Sequence, residues 1–210
     1  MTKKLGIVLF SAVVLIILLA WLFIESSKPL PGEKVLQDGR NHVAEGSKVD
    51  YKFNPPTSGD HYPSWIAKGF YDIPRIDGNL VHSLEHGFIV IWYNCEGKGV
   101  GDRDWGIVAT AYAQSTTMTQ GSEGSPSAKL EDMPKSFSDG SCDNLKNQLK
   151  DIYKKYGPHK LIVTPRVGMD SKIVLTGWAR SEKLNTVDQR KIKQFIDAFR
   201  DNGPEATNEP

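Results

Sequence analysis

His82 and His86 stand four residues apart in Val81-His82-Ser83-Leu84-Glu85-His86-Gly87, and His61 precedes them in Asn54-Pro55-Pro56-Thr57-Ser58-Gly59-Asp60-His61-Tyr62-Pro63. Residues i and i+4 share a face of a helix, and an even separation shares a face of a strand, so the two imidazoles converge whichever element forms. His61 lies in a loop stiffened by prolines, where a side chain is aimed without the entropy cost of a floppy segment. Neutral imidazoles gathered together repel on protonation, and a metal ion is the commonest reason for such a cluster. The bland alternative satisfies each separately: His61 as a loop hydrogen-bonder, His82 and His86 as polar residues capping a short helix that ends at Gly87. A pair at this spacing plus a third histidine in a rigid loop favours the metal.

Met169 sits between Gly168 and Asp170 in a turn, where the core pattern does not need a methionine. Three imidazoles and a thioether form a borderline-to-soft donor set that disfavours magnesium and calcium and suits copper, especially Cu(I). Without ligation, Met169 packs on Trp178 or Tyr62. Asp60, Glu85 or a backbone carbonyl is available to orient the imidazoles from behind. Two other chemistries compete. His82-x-x-Glu85-His86 spells the H-x-x-E-H pattern of zinc hydrolases, with Glu85 as general base and His61 as third ligand, but that pattern needs a continuous helix, and Gly87 with a strand-like run follows at once. Tyr51, Phe53, Tyr62, Trp65, Phe70 and Tyr71 crowd one segment and offer an aromatic platform for a ligand held without metal, although such residues more often pack loops onto a core. No Ser-His-Asp arrangement, phosphate-binding glycine loop or dinucleotide fingerprint is recognisable.

The elements that must position these residues read as an α+β domain with a small central, mostly antiparallel sheet and flanking helices. Phe88 to Tyr93 is β-branched and aromatic throughout, the composition of a central strand buried on both faces. Leu161 to Val163 and Ile173 to Leu175, joined through Pro165, Gly168 and Met169, read as a hairpin. Leu145, Leu149, Ile152, Tyr153 and Tyr156 recur at helical spacing before Gly157 and Pro158. A second helix runs from about Val187 to Arg200, with Thr186 and Gln189 spelling a capping box and Ile192, Phe195, Ile196 and Phe199 on one face. Between Cys95 and Cys142 lies a Gly- and Ser-rich insertion, residues 96–141, in which only Trp105 to Tyr112 has strand character. In an exported domain the two cysteines form a disulfide at its base; as metal ligands or redox thiols they lack a C-x-x-C pattern or a nearby histidine.

The chain has 210 residues, enough for one domain with accessories. Its 26 Lys and Arg balance 25 Asp and Glu, which leaves no basic excess for nucleic acid. Hydrophobic content concentrates in Leu5 to Ile24, a run that spans roughly 30 Å as a helix, one bilayer core. Lys3 and Lys4 precede it, so the positive-inside bias puts residues 1–4 in the cytoplasm and the domain on the extracytoplasmic side of the membrane. The run exceeds a signal peptide's apolar core, and Trp21, Leu22, Phe23 and Ile24 offer no small-residue cleavage site, which favours a retained anchor over a cleaved signal. Residues 25–50, with Pro29, Pro31 and Gly32, read as a stalk in which His42 is solvated. The domain is expected over 51–203, followed by a tail, 204–210.

Four blocks in this order, N-P-P-T-S-G-x-H-Y-P, L-V-H-S-L-E-H-G, P-x-x-G-M-D and L-T-G-W-A-R, resemble a bacterial family catalogued as domain of unknown function 3105. The resemblance covers Tyr51 to about Glu205. Members of that family are often single-pass or exported proteins, and its name supplies no activity. The resemblance implies that His61, His82, His86 and Met169, which fall in its blocks, belong to one site. The insertion is longer than the family's corresponding region and inherits nothing. The expectation is a membrane-anchored, extracytoplasmic copper site, with zinc as the alternative ion, used for copper delivery, storage or electron transfer with a donor or acceptor protein.

Overall fold

The computed structural model describes residues 2–27, 29–96, 133–157, 159–205 and 207. The chain divides into two compact units, Met1–Leu30 and Pro31–Pro210. The first is one helix, α1 (Thr2–Ser26), whose stretch Leu5–Ile24 is long and apolar enough to cross a membrane or to act as a signal sequence.

The second unit is an α+β domain built on a six-stranded mixed sheet. Its strands are β1 (Glu33–Lys34), β2 (Gly69–Phe70), β3 (Ile89–Tyr93), β4 (Leu161–Pro165), β5 (Ile173–Gly177) and β6 (Arg180–Leu184), in the order β1-β6-β5-β3-β4-β2. Three pairings are antiparallel, and β4 pairs in parallel with both β3 and β2. The helices are α2 (Asp77–Glu85), α3 (Asp143–Tyr156) and α4 (Gln189–Phe199).

β3 is central because all five of its side chains are buried and both of its edges are paired. Alternation along it divides the core by face. Ile89, Ile91 and Tyr93 join Leu149 and Ile152 of α3 and Ile192, Phe195 and Ile196 of α4 in one apolar cluster. Val90 and Trp92 join Leu80 and Leu84 of α2, with Ile66, Phe88, Ile162, Met169 and Val174, in the other. The histidine-bearing helix α2 thus packs with the second set, away from α3 and α4.

Four expectations need correction. β4 and β5 do not form a hairpin, because β3 lies between them; the hairpin is β5 with β6, closed by Trp178 and Ala179. The cap of α4 is Asp188, whose Oδ1 accepts from the N–H groups of Arg190 and Lys191, rather than Thr186. The segment read as a stalk is folded from Pro31 onward: Glu33 and Lys34 pair with Ser181 and Arg180, and the Val35 N–H donates to Ala179. The tail beyond residue 203 likewise starts folded, since the Glu205 N–H donates to the Glu85 carbonyl. Cys95 and Cys142 form the expected disulfide, with Cα atoms 5.3 Å apart, so they are not metal-ligating thiolates. Most of the insertion, including the strand expected at Trp105 to Tyr112, lies outside the described residues; Met133 and Phe137, near its end, are buried in the α3/α4 cluster.

Candidate metal centre

Helix α2 opens at Asp77, which no side-chain N-cap precedes. Its carboxylate is instead clamped by Arg166, Nη1 to Oδ1 at 2.5 Å and Nη2 to Oδ2 at 3.0 Å, both side chains nearly buried. Eight residues later the helix ends at Glu85, with His86 as its C-cap. One turn therefore delivers His82, Glu85 and His86 together, and the His82 and His86 rings meet edge to face at 4.4 Å.

His61 arrives on a loop laced to a second loop that carries His42. His42 and His61 form a β-bridge: the His61 N–H donates to Asn41 O at 2.9 Å and the Val43 N–H to His61 O at 2.8 Å. Asp60 fastens the pair of loops, its Oδ1 accepting from both the N–H and Nδ2 of Asn41 at 2.9 Å. The turn before His61 requires Gly59, which has φ +139°, and a Cβ there would stand 2.8 Å from the Tyr51 ring. Tyr51 in turn donates its hydroxyl to Asp60 O.

The rings of His42, His61 and His82 are nearly equidistant, with centroids 4.8, 5.0 and 5.2 Å apart. One ligand atom from each lies within 4.8 Å of the others, and His82, Glu85 and His86 form a second such group sharing His82. His61 and His82 are buried, whereas the His42 side chain is 48% exposed. The tautomers follow from the acceptors. His61 Nδ1 is 2.8 Å from Gly59 O and His82 Nδ1 is 2.6 Å from Tyr62 O. A carbonyl only accepts, so each Nδ1 carries the proton and, in the neutral ring, each Nε2 presents a lone pair.

Each Nε2 faces a second polar group. His61 Nε2 is 2.9 Å from Glu85 Oε2, and His82 Nε2 is 3.0 Å from His86 Nε2. Each contact requires a proton or a cation between its two atoms. Glu85 does not supply the proton. Burial works to raise its carboxyl pKa, but hydrogen bonding to Arg40 and the charges of His61 and Arg40 outweigh that and hold it below the ordinary value. At His82, burial lowers the imidazole pKa; the Tyr62 carbonyl opposes this, and His86, His61 and His42 reinforce it. The centre thus favours neutral donors at His82 beside an ionised carboxylate.

Of the sequence-predicted residues, His61, His82, His86 and Glu85 come together, and Asp60 acts on the loop pair one step behind them. Met169 is buried in the apolar cluster with Leu80, Leu84, Trp92 and Val174. Glu85 is engaged by Arg40 through Oε1 and by His61 through Oε2. Of the aromatic residues, Trp65 borders the site, 6.1 Å from His82 and 5.9 Å from His86, and is 48% exposed. Sequence reasoning missed His42, Arg40 and Glu205. The last places its carboxylate 3.3 Å from both His86 Nε2 and Arg40 Nη2.

A family model described as protein of unknown function (DUF3105) matches residues 42–120 and 137–210, so the match takes in both His42 and Glu205. No curated protein and no solved structure matches the chain.

Proposed function

The chain belongs to the protein family of unknown function DUF3105, and from the geometry of its own residues we propose that it is a membrane-anchored carrier of one divalent transition-metal ion, copper first. The ligands are the Nε2 atoms of His42, His61 and His82. The observation that carries this reading is the pair of Nδ1–H donations to Gly59 O and Tyr62 O, which fix the two rings and leave Nε2 as the donor atom of each. Ionised Glu85, 2.9 Å from His61 Nε2 and 3.7 Å from His42 Nε2, adds the negative charge that attracts a cation. Imidazole and carboxylate donors suit Cu(II) and zinc, and the Irving–Williams order ranks copper higher. On this reading Met169 packs rather than ligates.

The half-exposed His42 favours a site that exchanges its ion over one that seals it, which suits delivery to, or receipt from, a partner protein. Leu5–Ile24 serves as the anchor, with Lys3 and Lys4 on the cytoplasmic side and the domain outside. The Cys95–Cys142 disulfide fits an oxidising, extracytoplasmic compartment.

The test is elemental analysis of the full-length protein in detergent micelles after exposure to Cu(II) or Zn(II) and desalting. About one retained copper, lost in His61→Ala and His82→Ala and weakened in His42→Ala, is the expected result. Stoichiometric zinc with no copper moves the assignment to a zinc site. No retained metal, or metal retained equally by the His61→Ala/His82→Ala double variant, overturns the proposal.

A further inference from the structure

The segment that follows α4 is built onto the C-terminal end of α2. Helix ends leave carbonyls without partners inside the helix, and here three successive ones receive donors from elsewhere. Glu85 O accepts from the Glu205 N–H at 3.1 Å, Gly87 O from the Asp201 N–H at 2.9 Å, and His86 O from the buried Lys160 Nζ at 2.9 Å. Lys160 also donates to Thr207 O at 2.7 Å, which ties down the far side of the segment. The approach is so close that a Cβ on Gly203 would stand 2.1 Å from Glu85 O and 2.3 Å from Gly87 N. Glycine is required there for contact rather than for its backbone angles.

This docking sets the Glu205 carboxylate beside the metal centre, with Oε1 3.3 Å from Arg40 Nη2 and Oε2 3.3 Å from His86 Nε2. His82 gives its only N–H to Tyr62 O, so in the neutral pair the 3.0 Å contact between His82 and His86 is made by the His86 Nε2–H. That N–H covers the lone pair which the proposed metal site needs. The Glu205 Oε2 lies within reach as a second acceptor for the same hydrogen.

Resting on the metal reading above, we infer that Glu205 is a positioning residue that opens the site: it accepts the His86 Nε2–H and so releases the His82 lone pair for the ion. No proton leaves the pair and none is taken up. His86 keeps its hydrogen and changes acceptor, from His82 to Glu205. Arg40, bonded to both Glu85 and Glu205, holds the two carboxylates in register.

The test is a double-mutant cycle on the full-length protein in detergent micelles, with Cu(II) affinity read by chelator competition. Glu205→Ala is expected to weaken copper roughly 10–100-fold, the usual effect of removing a group that orients a ligand, and Glu205→Gln, which retains an acceptor oxygen, to restore part of it. In a His86→Ala background Glu205→Ala is expected to weaken copper far less, because its His86 target is gone and only its bond to Arg40 is lost. Gly203→Ala, which drives the segment off α2, is expected to mimic Glu205→Ala; where it fails to fold, the cycle decides alone. Wild-type affinity in Glu205→Ala, or an equal loss in both backgrounds, overturns the inference while leaving the metal site standing. Absence of copper from the wild type removes the site itself.

Discussion

The clamp between Arg166 and Asp77 sets where α2 begins and therefore where His82 and Glu85 stand. The two charges are paired through both oxygens, with side chains 10% and 6% exposed. Arg166 also donates Nε to Asn54 Oδ1 and lies 4.9 Å over the Trp92 ring. Removing one partner leaves the other charge buried without compensation, which costs about 3–5 kcal/mol. Removing both leaves no buried charge, so the Asp77→Ala/Arg166→Met double variant is expected to be markedly more stable than the sum of the single losses implies. For a chain of this size each kcal/mol lowers Tm by about 2–4 °C, so each single variant should melt roughly 6–20 °C lower. The assay is thermal unfolding of the full-length protein in detergent at neutral pH, followed by tryptophan fluorescence. Single losses under about 1 kcal/mol would place the pair among weak surface bridges. Additive losses would show that the two residues stabilise the fold independently and that the clamp does not set α2.

Two further outcomes follow from the domain alone. The disulfide closes a sequence separation of 47, for which the chain-entropy account gives about 4 kcal/mol; Cys95→Ser/Cys142→Ser, or reduction, should lower the urea midpoint accordingly, and an unchanged midpoint would refute a stabilising role. Glu182 on β6 is held with Oε2 buried and without a hydrogen bond among the described residues, and burial raises its pKa despite Lys191 at 3.8 Å. A carboxyl raised on folding contributes stability that is present below its unfolded value of about 4.3 and is lost as pH rises through the folded value. The stability of Glu182→Gln relative to wild type should therefore improve between acid and neutral pH, and a constant offset would contradict the sign.

What the sequence made legible was whatever patterning and local spacing govern. The run at β3, the helical spacing of Leu145 to Tyr156 and the apolar face of α4 each carry a periodic signal, and each element formed where that signal placed it. The pairing of β4 with β5 was misread because sequence adjacency favours a hairpin, whereas a strand as uniformly apolar as β3 needs cover on both faces, which the middle of the sheet provides, and it inserts between them. β6, Arg-Ser-Glu-Lys-Leu, carries almost no strand pattern, since only Leu184 of its five residues is buried. It is held by its ladders to β5 and β1, and ladder hydrogen bonds are blind to side-chain type. The segment from Pro31 to His42 is likewise held by hydrogen bonds rather than by apolar burial, from its backbone at Val35 and Asn41 and from the side chains of Arg40 and Asn41.

The site divides along the same line. His82, Glu85 and His86 were legible together because a single helical turn fixes their relation, and His61 because its proline-stiffened loop advertised a rigid position. His42 had no such signal: it reaches His61 through a bridge between two polar loops, fastened by Asp60 to Asn41, and a lone histidine in polar sequence reads as solvated. Even for the histidines that were found, the sequence supplied the donor and not its aim. The aim comes from Gly59 O and Tyr62 O, and a carbonyl belongs to every residue type, so nothing in the letters marks the two that turn an imidazole inward. A histidine cluster read from sequence therefore identifies a chemistry. Which nitrogen does that chemistry, and which neighbour covers it, is decided by backbone acceptors and by a C-terminal segment that needs a glycine at its contact with α2 and sets a carboxylate, Glu205, beside His86.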